Sequence, residues 1–335
     1  MATPNAPDQA SRIQGSLVGL AAVDALGGPV EFKKRGTFPL VTSMIPNLHA
    51  GVPPGTWTDD TSMALCLAQS LIDYRGVFRA DDQVFKYMAW YEEGYLSAVD
   101  DCFDIGISTR TALETWRRIV QSFPSIAPAS PDLPLPGQNI IDGGLKHERA
   151  SGNGSLMRVA PIGLVYHHDV DAATQYATLS SNVTHPYPTN AEACVIYTRL
   201  LILAVRGKDR SELMAGLAGF PFQDHSLAER FRRYQRVTDF ERPHEEISSS
   251  GYVVDTLEAA LWAFFSTSSF REGAIKVVNL GDDADTVGAV YGGLAGAFYG
   301  LDAIPREWHE ALQKKETVDR IAAQLLEVAG GTAKS

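Results

Sequence analysis

Two short acidic stretches, far apart in the chain, carry the residues best suited to chemistry. Residues 55–61 read Gly-Thr-Trp-Thr-Asp-Asp-Thr, and residues 281–286 read Gly-Asp-Asp-Ala-Asp-Thr. Each is a glycine-bounded turn followed by an apolar run. Each offers adjacent carboxylates and hydroxyls, and neither holds Lys or Arg. Carboxylates packed this closely repel one another unless a cation neutralises them. An all-oxygen donor set suits Mg²⁺, Mn²⁺ or Ca²⁺ better than zinc. A fold that joined the stretches could hold one or two such ions between helix starts. The competing reading is capping, because Asp or Thr ahead of a helix accepts from its first-turn amides, and acids there suit the helix dipole. The repetition of one chemistry in two places favours the metal.

Other residues have weaker signals. Glu31 follows a Gly-Gly-Pro stop, where a solvated loop acid is the ordinary expectation. Residues 100–104 form a second acidic knot, Asp-Asp-Cys-Phe-Asp. Residues 151–158, Ser-Gly-Asn-Gly-Ser-Leu-Met-Arg, read as a Gly-rich turn opening into a helix whose free amides could cradle a phosphate. The turn lacks the Gly-Lys-Ser/Thr of a P-loop and does not match GxGxxG. His185, between two helical runs, is in general more often a hydrogen-bonding core group than a catalytic one.

The elements that must position these residues are helical. Apolar spacing of 3.6 residues predicts helices over about 11–26, 58–74, 81–95, 108–120, 171–182, 189–205, 210–217, 252–265, 270–278, 285–299 and 318–328, with one starting at Pro305. Strand alternation is almost absent, so the class is all-α, with ligands projecting from loops into the centre of a bundle. Gly288, Gly292, Gly293 and Gly296 weaken the run at 285–299, and close approach of another helix is their expected return. Residues 123–145, rich in Pro and Gly, read as a long ordered loop. A basic patch at 230–236 reads as a solvated face. Residues 1–10 are expected to be disordered, 11–330 to form one domain, and 331–335 to be a flexible tail.

Composition narrows the function. The 335 residues are 45% hydrophobic, ample for a core. A net charge of −11 leaves no basic stripe to track a nucleic acid. Cys66, Cys102 and Cys194 fit neither a disulfide framework nor a zinc knuckle, which places the expectation in a reducing cytoplasm. The apolar run 17–26 is short for a bilayer and contains Asp24, so no membrane span is expected.

Taken together and in order, these motifs resemble the ADP-ribosylglycohydrolase family, which includes the dinitrogen-reductase-activating glycohydrolase and the ADP-ribosylarginine hydrolases. The landmarks are residues 19–32, 58–61, 102–106, 151–158, 184–186, 251–263 and 281–286. The resemblance implies a compact, orthogonal multi-helix bundle with a central cleft holding two Mg²⁺ or Mn²⁺ ions. Matching positions make Thr58, Asp59, Asp60, Asp283, Asp285 and Thr286 the metal ligands. Asp282 is expected behind the ligands or in solvent. Asp59, Asp60 and Glu31 are the candidate catalytic acids. Ser151, Gly152, Asn153, Gly154, Ser155 and Met157 would hold the diphosphate of ADP-ribose, with His185 near its ribose or phosphates. Asp24 is expected to be structural. Asp104 would face an arginine leaving group, since a carboxylate pairs with guanidinium through two parallel hydrogen bonds. The implied activity is hydrolysis of ADP-ribosylarginine on a protein substrate by a monomer. Serine-linked or ester-linked ADP-ribose, and a non-catalytic ADP-ribose-binding or structural relative, are the alternatives.

Overall fold

The computed structural model describes residues 6–331 apart from 124 and 129. Helices and short turns make up the described chain, with isolated bridges at Asn47–Val52 and Gly152–Tyr252 as its only β-pairing. The helices are α1 (Gln9–Gly27), α2 (Asp59–Asp73), α3 (Ala80–Glu93), α4 (Ile107–Ser122), α5 (Gln138–Leu145), α6 (Ala160–Val165), α7 (Val170–Asn182) and α8 (Pro188–Val205). They continue as α9 (Arg210–Ala218), α10 (His225–Phe231), α11 (Val253–Phe265), α12 (Phe270–Val278), α13 (Ala284–Tyr299), α14 (Arg306–Ala311) and α15 (Lys315–Gly331).

The central pair is α1 and α13. A Cβ built on Gly296 would fall 1.9 Å from Gly15 O, one on Gly292 2.2 Å from Gly19 O, one on Gly288 2.7 Å from Val23 O, and one on Gly27 2.4 Å from Ala284 O. The contacts climb one helix as they descend the other, four residues at a time, so the helices run antiparallel with backbones touching along one small-residue face. The glycines that cost α13 helix propensity are the ones that admit α1. The antiparallel register sets the C-terminal end of α1 against the N-terminal start of α13, which joins Asp24 and Glu31 to the 281–286 stretch.

The stretch 9–30 is the one described helical segment long and apolar enough to cross a membrane by length and composition, and 94% of its window is buried inside the protein. Around it, α2, α8, α11, α12 and α15 complete the core, with Trp57, Trp90, Trp116, Trp262 and Trp308 all fully buried.

Several expectations change. The first helix begins at Gln9, because Asp8 accepts from Ser11 N and caps it. Gln9 and Ala10 are therefore ordered, and 1–5 lie outside the described residues. Of the expected 331–335 tail, Gly331 ends α15 and 332–335 lie outside the described residues. The 123–145 loop contains α5, whose short length and two glycines, Gly143 and Gly144, hide its periodicity. The basic patch is a solvated face only in part: Arg232, Arg233 and Arg236 are exposed, but two of its arginines also reach a buried carboxylate. Arg230 pairs with Asp255 and Glu258, Arg233 with Glu258, and Tyr234 Oη donates to Glu258, a carboxylate that is itself buried. A buried carboxylate needs such partners. All three cysteines are free.

Candidate metal centre and active site

Thr58 and Asp283 stand at the N-cap positions of α2 and α13, yet neither side chain caps its helix. Elsewhere in the fold, Asp8, Asp169, Asp209, Asp224 and Ser269 do accept from their own first-turn amides. In the two acidic stretches the donors and acceptors point across the site instead. Thr58 Oγ1 lies 2.9 Å from Asp24 Oδ1 and 3.0 Å from Asp60 Oδ2, with one proton for either. Thr286 Oγ1 donates to Asp60 Oδ2 at 3.3 Å. The hydroxyl between two helix starts thus binds them to one another.

Asp24 does the capping that Thr58 does not. From the last turn of α1, its carboxylate accepts from Thr58 N and Thr61 N at 3.1 Å and from both threonine hydroxyls. These bonds tie α1 to the start of α2, and they reach residues more than thirty positions along the chain rather than nearby backbone. Burial lifts it to about 7 against the pull of those hydrogen bonds.

Two groups of carboxylates converge. Oxygens of Asp24, Asp60 and Asp285 lie within 4.8 Å of one another, and so do those of Glu31, Asp104 and Asp285. Asp285 belongs to both. Glu31 and Asp104 are half-buried and Asp285 is buried, so the second group lies nearer the surface than the first. Desolvation, then neighbouring carboxylates, raises Asp59, Asp60 and Asp285 well above the usual carboxylate range. Desolvation, then Asp104, pushes Glu31 up to about 11. Among the described residues no Lys, Arg or His comes within ion-pair distance of these acids. Asp60 Oδ1, Asp285 Oδ1 and Asp104 Oδ2 are buried without a hydrogen-bond partner. Unpartnered buried carboxylate oxygens this close together are a poor structural solution and a good hard-cation donor set. The residues present fit one or more divalent ions.

The remaining candidates divide. Asn153 directs its amide at Asp283 Oδ2 (2.6 Å) and Thr256 Oγ1 (2.9 Å), so it holds a candidate ligand in place. Gly152 is half-buried and its carbonyl accepts from Asn190 Nδ2. The 151–158 turn does not open directly into a helix: a 3-10 turn, Asn153–Ser155, intervenes, and α6 begins at Ala160. Its amides are partly spent, with Asn153 N donating to Gly251 O and the Leu156 and Met157 amides donating to Asn153 O. Ser155 and Met157 are buried, the former bonded to Ser181, and Ser151 Oγ is buried without a partner. His185 is buried, 2.8 Å from Thr184 Oγ1, and packs where a Cβ on Gly154 would fall. Burial, then the Arg158 cation, lowers it to about 3, so it is neutral. Asp282 is exposed, and only its backbone is used, exchanging hydrogen bonds with Phe32 and Lys33. The sequence reading did not find the positioning role of Asn153. Its spacing carried no mark of it, since Asp283 lies 130 residues away.

The comparisons with known proteins agree with this architecture. The ADP-ribosylglycohydrolase family model matches residues 5–334, and the chain belongs to that family. It is 35% identical over 322 residues to the ADP-ribosylarginine hydrolase Tri1 of Pseudomonas putida (strain GB-1), covering 96% of this chain and 80% of that one. It is 29% identical to the ADP-ribosyl-[dinitrogen reductase] glycohydrolase of Rhodospirillum rubrum, over 97% of this chain and 98% of the relative. A solved structure described as an ADP-ribosylglycohydrolase-related protein complex superposes with a TM-score of 0.75 at 37% identity, covering 96% of this chain and 99% of the other. The class is thus an all-α glycosidase of the ADP-ribosylglycohydrolase kind, with an acidic cluster suited to metal.

Proposed function

We propose that this protein hydrolyses the N-glycosidic bond between C1″ of ADP-ribose and an arginine guanidinium on a protein. The carrying observation is Asp104, half-buried beside Glu31 and Asp285, with one buried oxygen unpartnered and no ion pair to a cation among the described residues. An arginine leaving group supplies that cation, and the Tri1 relative, by its name, acts on ADP-ribosylarginine. Asp60, Asp285, Asp59, Asp283 and the hydroxyls of Thr58 and Thr286 are the residues that would hold two Mg²⁺ or Mn²⁺ ions. Such ions supply charge neutralisation and a more acidic water.

The chain's own residues do the rest. Asp24 and Asn153 fix Thr58 and Asp283. Glu31, the half-buried member of the candidate acids, accepts a proton from the attacking water once the cluster is neutralised. The water oxygen bonds to C1″, the C1″–N bond breaks, and the guanidine leaves on Asp104 and takes the proton from Glu31. Water has then divided between the two products, and nearby carboxylate charge favours the oxocarbenium-like state between them. The turn at 151–157 is the segment that would meet the diphosphate, with the neutral His185 packed behind Gly154.

The test is release of ADP-ribose from matched arginine-linked and serine-linked peptides, with Mg²⁺, Mn²⁺ or chelator. Metal-dependent cleavage of the arginine peptide is expected. For Asp104→Ala the arginine rate should fall on the order of a hundredfold, the scale of a lost charged pair, with a much smaller loss on any O-linked substrate. Equal losses on both would remove the case for arginine.

A further inference from the structure

Backbone strain in this fold gathers around the acidic site. Among the described residues, the non-glycine positions with positive φ are Phe32, Arg75, Leu96, Asp100, Asp104, Asp282 and Lys314. Asp enters that region more readily than most residues, whereas Phe, Leu and Lys stay there only where their surroundings hold them. Phe32 and Asp282 hold each other, because Phe32 N donates to Asp282 O at 2.7 Å. Leu96, Asp100 and Asp104 all lie in the α3–α4 loop, residues 94–106, which brings an oxygen of Asp104 within 4.8 Å of oxygens of Glu31 and Asp285. Arg75 lies beyond the end of α2. That leaves Lys314, at φ +48° in the short link between α14 and α15 and 214 residues from Asp100.

This link is bonded to two loops at once. Gln313 N donates to Gly55 O, Gln313 Nε2 to Pro54 O, and the buried Trp57 Nε1 to Gln313 O, each at 2.9 Å. A Cβ on Gly55 would fall 1.9 Å from Ala311 O, so backbone meets backbone there. These contacts fix the stretch that runs into Thr58, Asp59 and Asp60. At the next residue, Lys314 Nζ donates to Ser97 O at 2.7 Å and pairs with Asp100. Asp100 is exposed, so the ion pair by itself adds little. The bond to Ser97 is of another kind, a charged donor on the carbonyl of a buried residue. Ser97 N in turn donates to Gly94 O at 3.0 Å, and a Cβ on Gly94 would fall 2.3 Å from Asp100 C. The loop is therefore closed on itself where Lys314 grips it.

We propose that Lys314 is a positioning residue: through Ser97 and Asp100 it holds the α3–α4 loop so that the Asp104 carboxylate meets the leaving guanidinium. The inference rests on the arginine reading given above. One short link then sets both Asp104 and the 55–60 stretch, which keeps the leaving-group acid in register with the candidate metal ligands. Two parallel hydrogen bonds to a guanidinium demand that register, since a shift of about 1 Å in a positioned group can cost about a hundredfold in rate.

The experiment is a double-mutant cycle on the full chain with Mg²⁺, using Lys314→Asn and Asp104→Ala, with turnover expressed per folded enzyme. Asparagine tolerates positive φ, so the substitution removes the ammonium without adding backbone strain. On an ADP-ribosylated arginine peptide, Lys314→Asn alone should lower kcat/KM about tenfold while Mn²⁺ affinity stays within about twofold. In the Asp104→Ala background it should lower kcat/KM by less than about twofold further, because the group it positions is gone. Unchanged kcat/KM with a lower Tm would make Lys314 a stabilising residue only and overturn the proposal. A full tenfold loss in the Asp104→Ala background, or a matching loss of Mn²⁺ affinity, would place its effect elsewhere and overturn it as well. A wild type that cleaves a serine-linked peptide alone would overturn the arginine reading, and the same cycle on that substrate would still decide Lys314 by whether the two losses multiply. A wild type that cleaves neither peptide overturns both.

Discussion

Asp285 is the oxygen donor common to both carboxylate groups, so Asp285→Asn should damage the site most completely. We expect Mn²⁺ binding to be lost by titration calorimetry and turnover to fall roughly a thousandfold, the scale of several kcal/mol of charge stabilisation. In chelator the same variant should unfold no more easily than the wild type, because it removes a desolvated acid from among like charges. Near-normal turnover would refute a shared ligand. Asp24 should behave in the opposite way. Asp24→Asn leaves one acceptor oxygen where four donors converge and should cost about 2 kcal/mol in urea unfolding, with or without metal. A variant as stable as the wild type would show that this carboxylate does not fasten α1 to α2.

At the scale of elements, the antiparallel contact of α1 and α13 carries both the core and the site. Gly292→Ala places a methyl where Gly19 O already sits. Overpacking of this kind typically costs 1–3 kcal/mol, with backbone as the obstacle favouring the upper end, about 3 kcal/mol. Because α13 starts at the 281–286 stretch, separating the helices should also weaken Mn²⁺ binding. Loss of stability with unchanged metal affinity would mean the helix start is positioned by other contacts, such as Asn153 on Asp283 and the Asp282–Lys33 backbone pair.

For the whole molecule, the buried acids tie stability to pH and metal together. Without metal, Asp24 sits near 7 and Glu31 near 11, with Asp59, Asp60 and Asp285 also raised. The folded state therefore binds more protons than the unfolded one above the ordinary carboxylate range. Stability from these groups is fully present below about pH 4 and is lost as pH rises through 7 and beyond. Divalent cations reverse this, since they bind the ionised form. Thermal unfolding in chelator should thus drop from about pH 6 to about pH 8, while the increase in Tm produced by Mg²⁺ grows over the same interval. A chelated protein that gains stability with pH would contradict a cation-free acidic core.

The sequence by itself determined the helical class and the motif order that marks the family. Helix periodicity and glycine spacing are local, and α12 falls where its pattern puts it. The two acidic stretches were legible for the same reason, as unusual donor sets with no basic residue nearby. Only the tertiary structure decided what each polar group does. Thr58 and Asp283 stand where caps stand, and nothing local distinguishes a cap from a group turned across the site; the choice was made by Asp24 and Asn153 arriving from other parts of the chain. The patch around Arg230 was likewise settled by Glu258, a buried carboxylate on a helix further along. Short-range patterns fix which backbone hydrogen bonds form. The partner of a buried charge is fixed by whichever helix lies opposite, and that is a property of packing.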